Sequence, residues 1–275
     1  MIYEKIETID YYTKIIKNLN INMNKIRFLI NTYKKIKNWY IVPLVYFRLV
    51  NNEFFILNFR NGLKCKLRTK STDIHAFANI WLTKEYENIG FEIDDDISII
   101  DVGAHIGLFA LYASQFCKNG KIICYEPIKE NFELLLENVK QNKITNIISY
   151  NSAVSNRSSK VKIYLNQDES GHSMFIENKN FVTVNSVSMS EIFQKNNIET
   201  CDFLKLDCEG AEYEIINSLN EDFFQKIKKT IIEYHRADTN PELLENLTQK
   251  LESHSFKIKI KKLFSDIGFL FAKSN

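Results

Sequence analysis

The 275-residue chain predicts an α/β fold with a mostly parallel sheet, led in by an N-terminal helical and hairpin extension. Three observations carry that expectation. From about residue 97 onward, apolar strand-like runs alternate with helical runs, the pattern of right-handed βαβ crossovers. The chain before that point follows a different rhythm, helical first and then period-two. The balance of 45% hydrophobic and 25% charged residues belongs to a globular protein able to bury a sizeable core.

Residues 1 to about 40 read as helical, with Ile15, Ile16, Leu19, Ile26, Leu29 and Ile30 at helical spacing and lysines on a solvated face. "EFFILNFRNGLKCKLR" alternates around Asn61-Gly62 and reads as a β-hairpin. "STDIHAFANIWLTKEY" follows as a helix capped by Ser71 or Thr72. Then come the strand-like runs "ISIID", "KIICYE", "NIISYNSAV", "CDFLKLD", "KTIIEYH", "SFKIKIKKL" and "GFLFAKS". Helical runs separate them: "GLFALYASQFC", "KENFELLLENVKQN", "SMSEIFQKN", "AEYEIINSL" and "NPELLENLTQKLESH". Little chain separates the last two strands, so one of them is expected to be antiparallel. "KVKIYLN" and "FVTVNSV" flank the loop "QDESGHSMFIENKN" and read as a hairpin laid over the sheet. In "SFKIKIKKL", lysines 257, 259 and 261 alternate with apolar residues, as expected of a guarded sheet edge.

A net charge of +2 is too mild to imply nucleic acid or an anionic membrane as a partner. Five cysteines, an odd number without a C-x-x-C pair, fit a reduced cytoplasmic protein. The opening "MIYEKIETIDYY" shows no secretory pattern, and Asp101 and His105 interrupt the one apolar window long enough to suggest a membrane span.

Ligands of open α/β sheets bind beyond the carboxyl ends of the strands, and polar residues gather there. The first strand is followed by Asp101, Gly103, Ala104, His105 and Gly107; the second ends in Glu126. The third runs into Asn151, Ser152 and Ala153, the fourth into Lys205, Asp207 and Glu209, and the fifth into Glu233 and His235. The first loop reads G-x-x-x-G, not the G-x-G-x-x-G that seats a pyrophosphate, and no P-loop Gly-Lys-Ser/Thr occurs. A carboxylate at Asp101 suits an ammonium group better than a phosphate. S-adenosylmethionine meets that description, with Glu126 placed to accept its ribose hydroxyls.

"IIDVGAHIGLFAL", "YEPIKENFELLLENV", "NSAVSN" and "CDFLKLDCEGAEYEII" together resemble the FkbM family of class I SAM-dependent methyltransferases. The resemblance runs from about Asn58 to the C-terminus, so residues 1–57 stand as a lead-in and 58–275 as the methyltransferase domain. It implies a Rossmann-like, seven-stranded sheet with the last strand antiparallel. It also implies that Asp101, Gly103, Ala104 and Gly107 line the methionine end of the cofactor while Glu126 holds the ribose. Asn151, Ser152 and Ala153 would then sit by the adenine, and Asp207 close to the methionine or the transferred methyl. His105 stands where that family frequently has Asn, and either caps the helix or touches the cofactor.

Methyl transfer to a hydroxyl needs alignment and the removal of one proton, for which Asp207 and His235 are the candidates. His75 and His254 read as structural, and His172 sits in the hairpin loop. Lys205 within a strand predicts an ion pair with a nearby acid. No metal is assigned, although an acidic pair such as Asp207 and Glu233 offers the oxygens Mg²⁺ prefers. The expected reaction is O-methylation of a sugar, glycan or small natural product. A nucleic-acid methyltransferase is disfavoured, because three prolines leave neither Asp-Pro-Pro-Tyr nor Pro-Cys in the chain. The chain also admits a non-catalytic scaffold or regulator and, against its glycine spacing, a nicotinamide oxidoreductase. The sequence does not set the oligomeric state.

Overall fold

The computed structural model describes residues 23–83, 86, 93–165 and 180–275. The early helical positions Ile15, Ile16 and Leu19, and His172 with most of its loop, lie outside the described residues.

Seven strands form the main sheet: β3 (Ser98–Val102), β4 (Lys121–Tyr125), β5 (Ile147–Tyr150), β9 (Phe203–Leu206), β10 (Lys229–Tyr234), β11 (Phe256–Lys262) and β12 (Gly268–Ser274). Their order is β11-β12-β10-β9-β3-β4-β5. Strands β10, β9, β3, β4 and β5 run parallel, while β12 is antiparallel to both β10 and β11. The expected mostly parallel sheet with an antiparallel last strand is present. Continuous apolar runs become strands buried on both faces, because helices cover both sides of a parallel sheet. Successive residues then feed opposite cores. Ile99, Ile122 and Phe203 face one core, and Ile100, Ile123 and Leu204 face the other. Strand β11 is the sheet's edge and carries the alternating lysines.

The second core is closed by four helices, α6 (Met189–Lys195), α7 (Glu212–Ser218), α8 (Glu221–Lys226) and α9 (Pro241–Ser253). The first core takes α4 (Leu108–Ala113), α5 (Lys129–Gln141) and the N-terminal layer. That layer comprises α1 (Met23–Lys35), α2 (Ile41–Tyr46), the hairpin β1 (Phe54–Asn58) and β2 (Lys64–Arg68), and α3 (Asp73–Phe77). The expected boundary at residue 57 falls inside β1, whose Phe55 and Leu57 share one core with Ile99. Helix α3 passes into a π turn over Ala78–Leu82. Ser71 Oγ accepts the Asp73 N–H at its start, while Thr72 makes no capping bond.

Two local features depart from what the sequence pattern predicts. "NIISYNSAV" splits: Ile147–Tyr150 stays in the main sheet, and β6 (Ala153–Val154) joins a separate sheet with β7 (Ser159–Tyr164) and β8 (Phe181–Val187). The turn at Asn151-Ser152 redirects the chain, with the Ser152 N–H donating back to the Tyr150 carbonyl. The outer edge of β2 is held by side chains of α5. Asn138 and Asn142 accept the N–H groups of Lys66 and Lys64 at 2.7 Å each and return bonds to their carbonyls. Amide side chains thus satisfy backbone groups that would otherwise need a partner strand.

Candidate functional site

The carboxyl ends of β3, β4 and β9 open a cleft of about 980 Å³, counted to its mouth. At the end of β3 the chain turns on Gly103, whose φ is +75°. A Cβ there would lie 1.7 Å from the Asp207 carbonyl oxygen, so only glycine lets the β3 and β9 ends approach this closely. The Gly103 and Ala104 N–H groups donate to the Tyr125 carbonyl at 3.0 and 3.1 Å, tying the loop to β4. Gly107, with φ +83°, starts α4 against Leu135. His105 also has positive φ, at +50°, so the whole loop is wound tightly beneath the cleft.

Sheet register sets the charges below it. Asp101 pairs with Lys205 across β3 and β9, and the Lys205 Nζ lies 3.1 Å from Asp101 Oδ1. The same Nζ lies 3.3 Å from Asp207 Oδ2 and donates to the Gly103 carbonyl. Burial disfavours the ammonium, but the two carboxylates outweigh it and hold Lys205 well above the usual lysine range. Asp101 is fully buried, and its Oδ2 has no hydrogen-bond partner among the described residues. It lies under the cleft and reaches it through Lys205, whereas Asp207 and Glu209 line it directly. The ion pair expected for Lys205 is therefore present.

Glu126 lines the neighbouring wall and is 5% exposed. Its Oε2 accepts the His105 N–H at 2.8 Å; Oε1 accepts from the Ile128 N–H at 2.9 Å and from Asn131. Of roughly four acceptor positions on a carboxylate, one remains, on Oε2. Burial pushes the Glu126 carboxyl up to about 7, opposed by the Ile128 and His105 N–H donors. Beside it the wall turns apolar, with Ile128, Ala153, Val154 and Ile163. Asn151 and Ser152 do not line the cleft. Asn151 instead donates to the Glu126 and Pro127 carbonyls and braces the exit of β4, and Ser152 donates to the Asn185 carbonyl.

A second buried network comes from the N-terminal layer, and the sequence pattern does not announce it. Arg68 closes on Asp73 through Nε and Nη2, at 3.0 and 2.8 Å, and donates from Nη1 to Asn131. Its Nη2 also meets His105 Nε2 at 3.0 Å. Burial, with Arg68 alongside and Asp73 opposing, brings His105 down to about 4, so its Nε2 accepts from the guanidinium. His105 lines the cleft and does not cap α4, whose N-cap is Gly107. The only sequence signal for this network is an Arg and an Asp five residues apart, an unremarkable spacing.

Beyond Asp207, the rim continues to His235. Glu212, fully buried, accepts the His235 backbone N–H at 3.1 Å and faces Nδ1 at 3.2 Å with the same oxygen. Its other oxygen accepts the Gly210 N–H at 2.8 Å. Burial alone would depress the imidazole, yet Glu212, Glu209 and Asp207 together lift it to about 10. Glu209 is itself raised by burial to about 7, with His235 opposing. The cleft thus presents carboxylates at one end, an acceptor on Glu126 in the middle and an apolar slot at the other end. That donor set suits a ligand carrying positive charge, a hydroxylated ring and a flat apolar group.

A family model described as Methyltransferase FkbM domain matches residues 101–258. The chain is 22% identical over 182 residues to the hexuronic acid methyltransferase AglP of Haloferax volcanii, covering 66% of this chain and 72% of that protein. It is 20% identical over 228 residues to the AMB antimetabolite synthetase AmbE of Pseudomonas aeruginosa, covering 68% of this chain but 11% of the synthetase. A solved FkbM methyltransferase from Methylobacillus flagellatus KT overlays with a TM-score of 0.49 at 16% identity, over 72% of this chain and 53% of that one.

Proposed function

The chain belongs to the FkbM methyltransferase family, and we propose that it transfers a methyl group from S-adenosylmethionine to a hydroxyl on a sugar, glycan or small natural product. The observation that carries this reading is the cleft itself: Asp207 and Glu209 at one end, Glu126 in the middle and an apolar slot at the other. A sulfonium and ammonium, a ribose and an adenine ask for those surroundings in that order. Gly103 and Ala104 bring backbone close to the amino-acid end, over the buried Asp101–Lys205 pair. The free position on Glu126 Oε2 takes a ribose hydroxyl, and His105, held by Arg68, closes the loop beneath. Ala153 borders the adenine slot, and Asn151 and Ser152 support it from outside.

When bound, the cofactor would supply a methyl carbon activated for transfer, with its sulfur as the leaving group. The chain's own residues align the partners and remove one proton. Asp207 orients the acceptor at the cleft floor. Glu209, raised to about 7 and lining the cleft, is poised to take the hydroxyl proton near neutral pH. His235 keeps that carboxylate in place, its Nε2 standing 3.6 Å from Glu209 Oε2. A sugar-type acceptor is supported by the likeness to the Haloferax hexuronic acid methyltransferase. Among the described residues no helix is long and apolar enough to cross a membrane.

Calorimetry with S-adenosylhomocysteine, S-adenosylmethionine and NAD⁺ tests the reading, with Glu126→Ala as the control. Both adenosyl ligands are expected to bind, and more weakly to the variant. Binding of NAD⁺ in their place overturns the proposal. Adenosyl binding without turnover on any hydroxylated acceptor points to a non-catalytic scaffold.

A further inference from the structure

The sheet register brings more to this edge than methyl transfer alone requires. Strand β10 runs parallel beside β9 with Ile232 opposite Leu206, so the next residues outward, Glu233 and Asp207, stand side by side. His235 follows two residues later. One ligand atom from each of Asp207, Glu233 and His235 lies within 4.8 Å of the other two. We propose that these three side chains bind a divalent cation of the Mg²⁺/Mn²⁺ class at the rim of the cleft, where it anchors oxygen atoms of the acceptor. The role toward the acceptor rests on the methyltransferase reading; the ion site does not.

The histidine argues most strongly for it. His235 is 5% exposed, and its Nε2 makes no hydrogen bond among the described residues, only ion-pair approaches to Glu209 and Glu233 at 3.6 and 4.0 Å. Its other nitrogen is held by Glu212, which is itself locked by the Gly210 and His235 N–H groups. A buried carboxylate on Nδ1 orients the ring so that Nε2 faces Glu209 and Glu233, the arrangement metal-binding histidines characteristically have, and an ion taking Nε2 displaces the proton those carboxylates otherwise hold there.

Spacing and donor type agree. Neighbouring donors about 2.1 Å from an octahedral ion stand roughly 3 Å apart, so atoms already within 4.8 Å close on an ion by side-chain rotation. The two carboxylate side chains, Asp207 and Glu233, are 29% and 23% exposed, so an ion from solvent reaches both. Two carboxylates and one imidazole suit an oxygen-preferring ion that also accepts nitrogen, which Mn²⁺ does well. Only Asp207 of the three lines the cleft, so the ion would sit beside the cofactor region and open toward the acceptor.

Mn²⁺ titrated into the full chain, with free ion followed by electron paramagnetic resonance, tests this. S-adenosylhomocysteine is titrated in parallel by calorimetry. One Mn²⁺ per chain is expected, with affinity at least about tenfold weaker in Glu233→Gln and in Asp207→Asn. Both substitutions keep side-chain volume, and circular dichroism melts check that each variant folds. In the wild-type protein, Mn²⁺ should selectively broaden the His235 ring signals in the NMR spectrum, a readout that needs no variant. No Mn²⁺ uptake at millimolar ion, or uptake indifferent to both substitutions without broadening at His235, overturns the site and leaves a set of ion pairs. S-adenosylhomocysteine binding without Mn²⁺ uptake removes the ion and keeps the methyltransferase reading. Mn²⁺ uptake without S-adenosylhomocysteine binding does the reverse.

Discussion

Two buried charged networks bound the cleft, and they are built in opposite ways. Asp101 and Lys205 sit on two hydrogen-bonded strands of one sheet as direct cross-strand partners, and Asp207 follows immediately after the second strand. Arg68, Asp73, Asn131 and His105 come from a hairpin strand, a helix start, a second helix and a loop. The first is positioned by backbone register and survives any change that leaves the sheet paired. The second exists only while the N-terminal layer stays docked, through bonds such as Asn138 to Lys66. Site rigidity can therefore come from register or from docking, and the two should fail differently.

The largest effect expected is from Lys205→Met. It leaves Asp101 buried and uncompensated beneath the cleft, which costs about 3–5 kcal/mol. Urea denaturation reads that loss directly. Arg68→Ala is expected to cost less, about 1–3 kcal/mol, for leaving the Asp73 carboxylate short of donors. It should also weaken S-adenosylhomocysteine binding measured by calorimetry, because His105 loses its anchor. Equal losses from the two variants would erase the distinction between register and docking.

A pH series sharpens the middle of the cleft. Glu126, held near 7 by burial, must be ionised to accept a ribose hydroxyl fully. Ligand affinity should then be constant above pH 7 and fall below it by up to about tenfold per unit, roughly 1.4 kcal/mol. Glu126→Gln should flatten that profile at a lower affinity. The smallest effect is at the far edge, where Lys259→Thr on β11 should change stability by no more than about 0.5 kcal/mol. The same change should raise light scattering on heating, since it strips one lysine from an open sheet edge.

Much of the register-built half is legible in the sequence. Every main-sheet strand arises from one of the apolar runs, and Asp101, Glu126, Asp207 and His235 fall at strand ends by alternation alone. The pairing of Lys205 is legible too, because a lysine inside an apolar strand has to meet an acid. Arg68 and Asp73 are not, since a surface hairpin carries such residues freely and nothing local marks them as buried partners. Asn151 and Ser152 show another limit. A position after a strand end predicts proximity to the cleft, but side-chain direction places them behind its wall.

The sequence by itself determined the α/β class, the parallel core of the sheet, the guarded edge at β11 and the end of the sheet where polar residues collect. Those follow from periodicity, which is a local property read residue by residue. The tertiary structure alone decided that Glu212 turns the His235 imidazole toward Asp207 and Glu233. It alone decided that Arg68 reaches His105 and that two asparagines of α5 close the edge of β2. Each of these joins residues distant in the chain through side-chain direction, and direction is set by packing after the strands have paired.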